Sequence, residues 1–323
     1  MKRWLGVAKA LTPAVDGAAG HAHSRRHMAT IEPTGQILGA TVRGVDLAKP
    51  LAEADFALIL LALGRHGVLR FPEQHLDAAA LRDFSRRFGS IQDMLTGFHE
   101  PGLPEVGILS NVVENGRPIG LADAGQDWHT DMSYNPTIGF LNVLFAVKVP
   151  RRNGQVLGNT AFVNTQAAYE DLSEEVKARL ANATATHDFN KFWENMRRRP
   201  GSTRGPMTEE QRRRRPPSVH PVFLTHPITG NPVLYCNPGY AIRINELDEA
   251  ESERMLAALF AHQLQPKYQY QHRWTEGDVL VWDHIGTLHN AIPDYGPDEH
   301  RLMKRCQVMA DKIFDPAFLH QYV

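Results

Sequence analysis

The chain has 323 residues, with 35 lysine and arginine side chains against 36 aspartate and glutamate side chains and a formal net charge of −1. A balanced charge creates no extended field of one sign, so the composition argues against a nucleic-acid partner and against adsorption to a membrane. No apolar run approaches the ~20 residues that a membrane-spanning helix needs. The two cysteines are too few for a disulfide framework, and we expect a protein of the reducing cytoplasm.

Residues 1–29 are predicted to be a disordered N-terminal extension. A basic start and a short apolar stretch are typical of a signal peptide, but Lys9 interrupts that stretch. The segment then becomes small, polar and rich in histidine until Thr30 opens the first strand pattern. Residues 30–323 are expected to form a single domain, because β-rich enzymes with helical insertions commonly reach this length as one unit.

From Thr30 onward the pattern predicts strands in both halves of the chain and few helices. A helix over Asp55–His66 leads into a strand at Val68–Phe71, and Asp77 is placed to cap a second helix that Gly89 ends. The later predictions are a strand over Phe140–Val149, a helix from Ser173, a hairpin between Pro221 and Asn237, a helix from Asp248 to about Gln263, and strands at Val279–Trp282 and Leu302–Met309. This order favours a mainly β fold with flanking helices, a double-stranded β-helix or jelly roll, over a parallel α/β sheet.

One segment, residues 196–217, does not fit a packed core. It contains two arginine runs, Arg197–Arg199 and Arg212–Arg215, together with prolines. Charge and proline disfavour burial and regular structure, so we predict a mobile basic loop. Two hypotheses for it stay open: an active-site lid that attracts anions, and a solvated surface or oligomer-contact loop.

The most informative stretch is Trp128-His129-Thr130-Asp131. In a strand, side chains two residues apart point the same way, so an imidazole nitrogen and a carboxylate oxygen can reach one ion. His289 is the candidate third ligand, and His284 competes with it. Two histidines and one carboxylate leave the opposite face of a metal open, as in non-haem Fe(II) oxygenases, whereas a structural zinc site would be closed by four ligands, usually with thiolates.

Two arginines follow His289. Arg301 and Arg305 lie four residues apart in a strand predicted over Arg301–Met309, so both side chains should share the face on which the metal lies. A guanidinium holds a carboxylate through two parallel hydrogen bonds, which suits a diacid cosubstrate whose near end chelates the metal. Thr160 offers a hydroxyl as a second donor to the same carboxylate.

Taken in order, these motifs resemble those of the TauD/TfdA family of Fe(II)/2-oxoglutarate-dependent dioxygenases, over nearly all of the chain from Thr30 onward. The family pattern contains Trp-His-x-Asp, Gly-Gly-Asp-Thr, Trp-Asp-Asn before a distal His, and Arg-x-x-x-Arg. The matching segments are Trp128–Asp131, Gly158–Thr160, Trp282–His289 and Arg301–Arg305.

The resemblance implies a role for each matching residue. His129, Asp131 and His289 bind Fe(II), with His289 preferred to His284 for its spacing before Arg301. Thr160 and Arg301 hold the distal carboxylate of 2-oxoglutarate, and Arg305 faces the cosubstrate or an anionic substrate. The activity implied is hydroxylation by O2, with conversion of 2-oxoglutarate to succinate and CO2.

The chain departs from the family pattern at two places. A longer loop, Asn153–Gly158, replaces the paired glycines before Thr160. In the taurine enzymes a histidine after a Phe-Gly segment binds sulfonate, whereas here Met94 stands in that position. Arg305, Met94 and Met132 are the predicted substrate-binding residues. We expect a small anion that is not taurine itself: another sulfonate, a sulfate ester, an aryloxy acid or a substituted amino acid.

Two functions of other classes were weighed against this one. A zinc-dependent hydrolase could use the same triad to activate water, but it would leave Thr160, Arg301 and Arg305 without a role. A non-enzymatic jelly-roll binding protein would make the whole constellation accidental. The sequence identifies neither the substrate nor the oligomeric state, for which a dimer and a tetramer both stay open.

Overall fold

The computed structural model describes residues 28–94, 97–199, 202 and 204–322, so the disorder predicted for residues 1–29 lies almost wholly outside the described residues. The described chain is mainly β, as predicted. Its strands are β1 (Thr30–Pro33), β2 (Ala40–Arg43), β3 (Val68–Phe71), β4 (His99–Glu100), β5 (Leu103–Ser110), β6 (Val113–Glu114), β7 (Arg117–Pro118), β8 (Gly139–Lys148), β9 (Arg151–Arg152), β10 (Gln155–Val156), β11 (Thr160–Asn164), β12 (Thr184–His187), β13 (Ser218–Pro221), β14 (Phe223–Thr225), β15 (Pro232–Leu234), β16 (Ala241–Ile244), β17 (Gln269–His272), β18 (Val279–Asp283), β19 (Thr287–Ala291) and β20 (Leu302–Met309).

The helices lie at the periphery and between the late strands. They are α1 (Glu53–His66), α2 (Ala78–Arg86), α3 (Thr165–Glu170), α4 (Glu174–Leu180), α5 (Phe189–Arg197), α6 (Glu209–Arg214), α7 (Glu249–Gln263) and α8 (Pro316–Leu319), with a short 3-10 turn at Pro266–Tyr268. Side chains of Asp77, Ser173 and Asp248 cap α2, α4 and α7, as the sequence predicts. None of the helices in the described residues is long and apolar enough to cross a membrane.

A large mixed sheet of eight strands, in the order β1-β2-β3-β18-β8-β20-β5-β4, forms the body of the fold. Strands β8 and β18 at its centre are mostly apolar because both of their faces are covered. In β18, Val279 and Val281 face helices α1 and α2, whereas Leu280 and Trp282 face the interior of the sandwich. Side chains of β8 and β20 alternate in the same way, which places Arg305 on the interior face with Met303.

A smaller sheet, in the order β17-β11-β19, lies over that interior face. Phe162 of β11 and Tyr270 of β17 belong to the same buried cluster as Leu144 and Trp282 of the large sheet. The two sheets thus form the sandwich of a double-stranded β-helix, and the predicted fold class is confirmed. The strands β14 and β15 form the predicted hairpin outside this sandwich.

The predicted basic loop contains more regular structure than the sequence suggested. Helix α5 extends to Arg197, and the run Glu209–Arg214 forms α6, so the prediction of irregular structure is wrong there. A capping box at Thr208 and Gln211 explains the second helix, since both side chains satisfy backbone groups at its start. The mobility assigned to residues 196–217 stays a prediction.

Candidate metal and cosubstrate site

His129, Asp131 and His289 meet at one end of the sandwich. One ligand atom from each lies within 4.8 Å of the others, and all three side chains are buried. The backbones of His129 and His289 exchange two hydrogen bonds, of 3.1 and 2.8 Å, so the two imidazoles start from neighbouring main-chain positions. Such a group of two nitrogens and one carboxylate could hold a metal ion and leave one side of it open.

The strand predicted for His129 to Asp131 is wrong. His129 makes only an isolated bridge with His289, and the chain then turns at Asp131. Asp127 and Met132 adopt positive φ values of 76° and 61°, which sharp turns require and a strand excludes. The side chains nonetheless converge, with His129 Nε2 3.2 Å from Asp131 Oδ1.

The hydrogen bonds of His129 fix which nitrogen can bind a metal. Its Nδ1 lies 2.8 Å from the backbone oxygen of Asp127, an acceptor, so Nδ1 carries the proton. Nε2 then presents a lone pair towards the carboxylate of Asp131. When the ring is neutral, Nε2 and Asp131 Oδ1 are two acceptors 3.2 Å apart, and a proton or a metal ion between them relieves their repulsion, so the arrangement fits a bound metal ion.

The ionisation of the other two side chains also suits metal binding. Burial opposes the charged form of Asp131, but the contact with His129 and the nearby guanidinium of Arg305 outweigh it and hold the carboxyl pKa well below its usual range. Asn142 on β8 donates a 2.8 Å hydrogen bond to Asp131 Oδ2 and orients the carboxylate. Burial and the neighbouring His129 lower the pKa of His289, which keeps that imidazole neutral.

His284, the competing ligand, is close to this group without belonging to it. Its Nε2 lies 3.9 Å from Asp131 Oδ2, and neither of its ring nitrogens has a hydrogen-bond partner among the described residues. Burial lowers its pKa to about 4, so the ring is neutral. The geometry therefore groups His289 rather than His284 with His129 and Asp131.

Arg301 is a buried cation that the described part of the chain does not neutralise. Only 6% of its surface is exposed, and its Nε has no hydrogen-bond partner there. Gly158 beside the guanidinium has a φ of 68°, and a Cβ there would lie 3.2 Å from Arg301 Cδ and Nε, so a side chain at this position would be strained and crowded. Burial lowers the pKa of Arg301 and Tyr295 partly offsets it. An uncompensated buried guanidinium fits a bound carboxylate.

Thr160 begins β11, the central strand of the smaller sheet. Its partner across the sheet in β19 is Ala291, two residues beyond His289, so Thr160 and His289 share one face. The hydroxyl is 3% exposed and accepts a 3.1 Å hydrogen bond from Trp274 Nε1.

Arg305 and Met94 lie together beside the metal group. The Arg305 guanidinium is 3.8 Å from the Met94 sulfur and 3.8 Å from Asp131 Oδ2. Met132, in contrast, is fully buried, and its methyl group packs against Gly139. The structure thus places Arg305 and Met94 beside the metal group, whereas the side chain of Met132 is buried against Gly139.

An aromatic cluster also borders the metal group. The ring of Phe192 lies 4.7 Å from that of His129, and Tyr240 packs on Phe192 at 5.2 Å. Tyr134 follows at 4.8 Å from Tyr240. Burial raises the pKa of Tyr134 to about 12, so its phenol stays protonated. These residues form an apolar wall with phenol groups.

The basic segment reaches the site through two of its arginines. Arg199 pairs with Asp127 at 2.5 Å and with Gln126, and Arg204 pairs with Asp123 at 2.5 Å. These partners lie in the loop that leads into His129. Both hypotheses for the segment, an active-site lid and a solvated or oligomer-contact loop, stay open, because partly exposed ion pairs of this kind stabilise little.

Several contacts at the site were not predicted from the sequence. Asn142 gives a visible signal, because it is the one polar residue in the apolar run Phe140–Val147 of the predicted strand. Trp274 and Phe192 give none, since aromatic residues in such positions are more often simple core residues. No sequence pattern indicates Gly239 either, although its Cα lies against the side chain of His129.

The sandwich, the two histidines with one carboxylate and the unneutralised arginine define a metal-dependent jelly-roll enzyme with a site for an anionic cosubstrate. Residues 30–307 match the family described as "Taurine catabolism dioxygenase TauD, TfdA family", and the chain belongs to that family. It is therefore an enzyme of a dioxygenase family, and neither the zinc hydrolase nor the non-enzymatic binding protein holds.

Named relatives cover most of the chain. Pentalenolactone F synthase of Streptomyces avermitilis is 33% identical over 296 residues, which is 88% of this chain and 94% of the relative. The (S)-phenoxypropionate/alpha-ketoglutarate-dioxygenase of Sphingobium herbicidovorans is 30% identical over 90% of this chain and 98% of its own length. A taurine dioxygenase structure from Burkholderia xenovorans superposes with a TM-score of 0.71 at 28% identity, covering 88% of this chain and 90% of the other.

Proposed function

We propose that the protein is an Fe(II)- and 2-oxoglutarate-dependent dioxygenase that hydroxylates a small amphipathic anion. The observation that carries this proposal is the buried guanidinium of Arg301, for which the described residues offer no carboxylate partner. Leaving such a charge unpaired is costly, so a diacid that pairs with it is the expected resident of the site.

His129, Asp131 and His289 are proposed to hold Fe(II), which supplies the open positions where 2-oxoglutarate and O2 react. Arg301 anchors the distal carboxylate through parallel hydrogen bonds, and Thr160 donates a third. Asn142 keeps the Asp131 carboxylate in place while the metal binds. Phe192 and Tyr240 exclude water from the face of His129.

The substrate is proposed to lie between Arg305 and the aromatic wall. Arg305 offers charge, and the Met94 sulfur beside it offers an apolar contact. Several relatives are named for aryloxy acids or sulfate esters, among them the 2,4-dichlorophenoxyacetate dioxygenase of Cupriavidus pinatubonensis. An anion with an apolar or aromatic body fits a site that has both a cation and an aromatic wall beside the metal group.

Succinate release tests the function and the substrate class together. The purified protein, loaded anaerobically with Fe(II), is given 2-oxoglutarate, O2 and a panel of aryloxy acids, sulfate esters, sulfonates and N-substituted amino acids. Each anion is paired with its uncharged amide or alcohol. We expect some anions to stimulate succinate release above the uncoupled background while their neutral counterparts do not. Stimulation by neutral compounds alone would refute the proposal that the substrate is an anion. Absence of any 2-oxoglutarate turnover would refute the proposed function.

We propose a cytoplasmic location for the same protein. Cys236 and Cys306 are both free and buried, as is common in a reducing compartment.

A further inference from the structure

Trp274 makes a hydrogen bond that determines what the hydroxyl of Thr160 can do. An indole N–H can only donate, so in the 3.1 Å contact between Trp274 Nε1 and Thr160 Oγ1 the hydroxyl must be the acceptor. The hydroxyl proton is then directed elsewhere. Within the described residues Thr160 Oγ1 donates to no acceptor, although the side chain is 3% exposed.

The indole itself is held rigidly. Trp274 is 1% exposed, and its ring meets the ring of His272 edge-on at 4.8 Å. His272, the last residue of β17, is the partner of Thr160 across the sheet. Trp274 follows His272 by two residues, so its position depends on that strand. Trp274 therefore cannot swing away without disturbing β17.

A buried carboxylate fixes the turn that carries Trp274. Asp278 accepts a 2.9 Å hydrogen bond from the backbone N–H of Thr275 and a 2.9 Å bond from Arg70 Nε, and it lies 3.5 Å from His272 Nε2. Three elements, β3, β17 and the start of β18, thus converge on one acceptor. The direction of the Trp274 N–H is set by the fold and not by the ligand.

We propose that Trp274 is a positioning residue for the cosubstrate: it occupies a lone pair of Thr160 and so presets the threonine hydroxyl as a donor to the distal carboxylate of 2-oxoglutarate. This inference rests on the proposed function. The indole N–H excludes the hydroxyl proton from one of its three staggered positions, a factor of about 1.5 in orientation, and the accepted hydrogen bond polarises the hydroxyl and strengthens its own donation by about 10–30%. A carboxylate accepts hydrogen bonds only, so a hydroxyl already turned outward is matched to it.

A double-mutant cycle on binding tests the proposal. The dissociation constant of 2-oxoglutarate is measured calorimetrically without O2 on the Mn(II)-loaded protein. Thr160→Val should weaken binding about tenfold, as expected for a lost hydrogen bond to a charged group. Trp274→Phe should weaken it roughly twofold in the wild-type and Thr160→Ser backgrounds. In the Thr160→Val background, Trp274→Phe should have no further effect.

Two controls separate this role from a structural one. Trp193→Phe removes an indole hydrogen bond, to the carbonyl of Gly205, from helix α5, and should leave 2-oxoglutarate binding unchanged. The five-carbon 2-oxopentanoate lacks the distal carboxylate, so its affinity should not respond to Trp274→Phe. An equal loss in the Thr160→Val background, or for 2-oxopentanoate, would overturn the proposal.

The same data distinguish failure of the inference from failure of the proposed function. If Thr160→Val binds 2-oxoglutarate normally while Arg301→Gln does not, the cosubstrate assignment stands and the role of Trp274 is refuted. If the wild-type protein does not bind 2-oxoglutarate, both are refuted.

Discussion

The chemistry proposed for this protein depends on a few side chains whose protons and charges the structure defines. Asp131 is the most sensitive of them, since its two oxygens face different partners: Oδ1 faces His129 and Oδ2 accepts from Asn142. Its low pKa keeps it ionised throughout the neutral range. Substitution of Asp131 alone should therefore be enough to prevent metal binding.

Substituting Asp131 tests the metal assignment directly. Fe(II) with 2-oxoglutarate under anaerobic conditions should give a weak visible charge-transfer band in the wild-type protein, and Asp131→Ala should abolish it because two imidazoles alone hold the ion poorly. Asp171→Ala, which alters a surface aspartate paired with Lys267, should retain the band. A normal band in a folded Asp131→Ala protein would rule out this triad.

Arg301 gives a second prediction at this scale. Arg301→Gln should raise the KM for 2-oxoglutarate about 30-fold or more, since losing a charged contact to a buried partner typically costs ~2–5 kcal/mol. The KM of Arg301→Lys should lie between those of the wild type and Arg301→Gln, because lysine keeps the charge but lacks the planar guanidinium. Arg152→Gln, at an exposed arginine paired with Glu299, serves as the control. A KM within twofold of wild type would place the anchor elsewhere, with Arg305 the next candidate.

Arg305 separates two hypotheses about the substrate. If it binds the substrate anion, Arg305→Ala should abolish turnover of the primary substrate while uncoupled 2-oxoglutarate decarboxylation and its KM persist. If it only gives a second contact to 2-oxoglutarate, the variant should instead raise that KM, and the charge of the substrate stays open. Because Arg305 also lies 3.8 Å from Asp131, Fe(II) content must be measured in both proteins.

Local patterns predicted the elements better than the site between them. The caps at Asp77, Ser173 and Asp248 and the hairpin before Asn237 depend on residues near each other in sequence, and all were predictable. The strand assigned to His129 was wrong because sharp turns at Asp127 and Met132 limit its pairing with the distant His289 to one isolated bridge. No local pattern carries that information.

The loop between β15 and β16 packs against His129 of the metal group. Asn237 donates to Ser133 Oγ and accepts from the backbone N–H groups of Gly239 and Tyr240, so one side chain joins this loop to the turn after Asp131. A Cβ on Gly239 would lie 2.5 Å from the Cβ of His129. This close approach is where the loop controls the position of the ligand.

A single methyl group at Gly239 should therefore displace His129. We expect Gly239→Ala to lower Fe(II) affinity about tenfold or more, the usual effect of disturbing the support of a ligand. Gly205→Ala is the matched control, since a Cβ there meets nothing within 4 Å. Fe(II) affinity is measured by competition with a chelator. Equal affinities in the two variants would show that the loop shifts to accommodate the methyl group and that His129 stays in place.

At the scale of the whole molecule, buried histidines couple folding to pH. Burial, with His220 and Lys191, lowers the pKa of His187 to about 3, and burial also lowers that of His272. The unfolded chain binds these protons below about pH 6.5, whereas the folded chain does not. The free energy of unfolding should thus fall as the pH decreases from that value towards the folded pKa.

Urea unfolding in the presence of a chelator measures this dependence without a contribution from metal release. Between about pH 5 and pH 6.5, His187 alone should contribute a slope approaching ~1.4 kcal/mol per pH unit. His187→Gln should show a correspondingly shallower slope, and His320→Gln, at an exposed histidine, should keep that of the wild type. An unchanged slope in His187→Gln would mean that this ring takes up its proton in the folded protein.

The paired backbones of His129 and His289 have a consequence for how this protein could diversify. The spacing of the two imidazoles is set by main-chain hydrogen bonds, whereas the aromatic wall and the basic segment come from separate elements around them. Residues of α5 can therefore change in evolution, or be exchanged in the laboratory, while the main-chain pairing that spaces the two ligands stays in place. A new substrate range is accessible by replacing the surroundings while the reactive centre keeps its geometry.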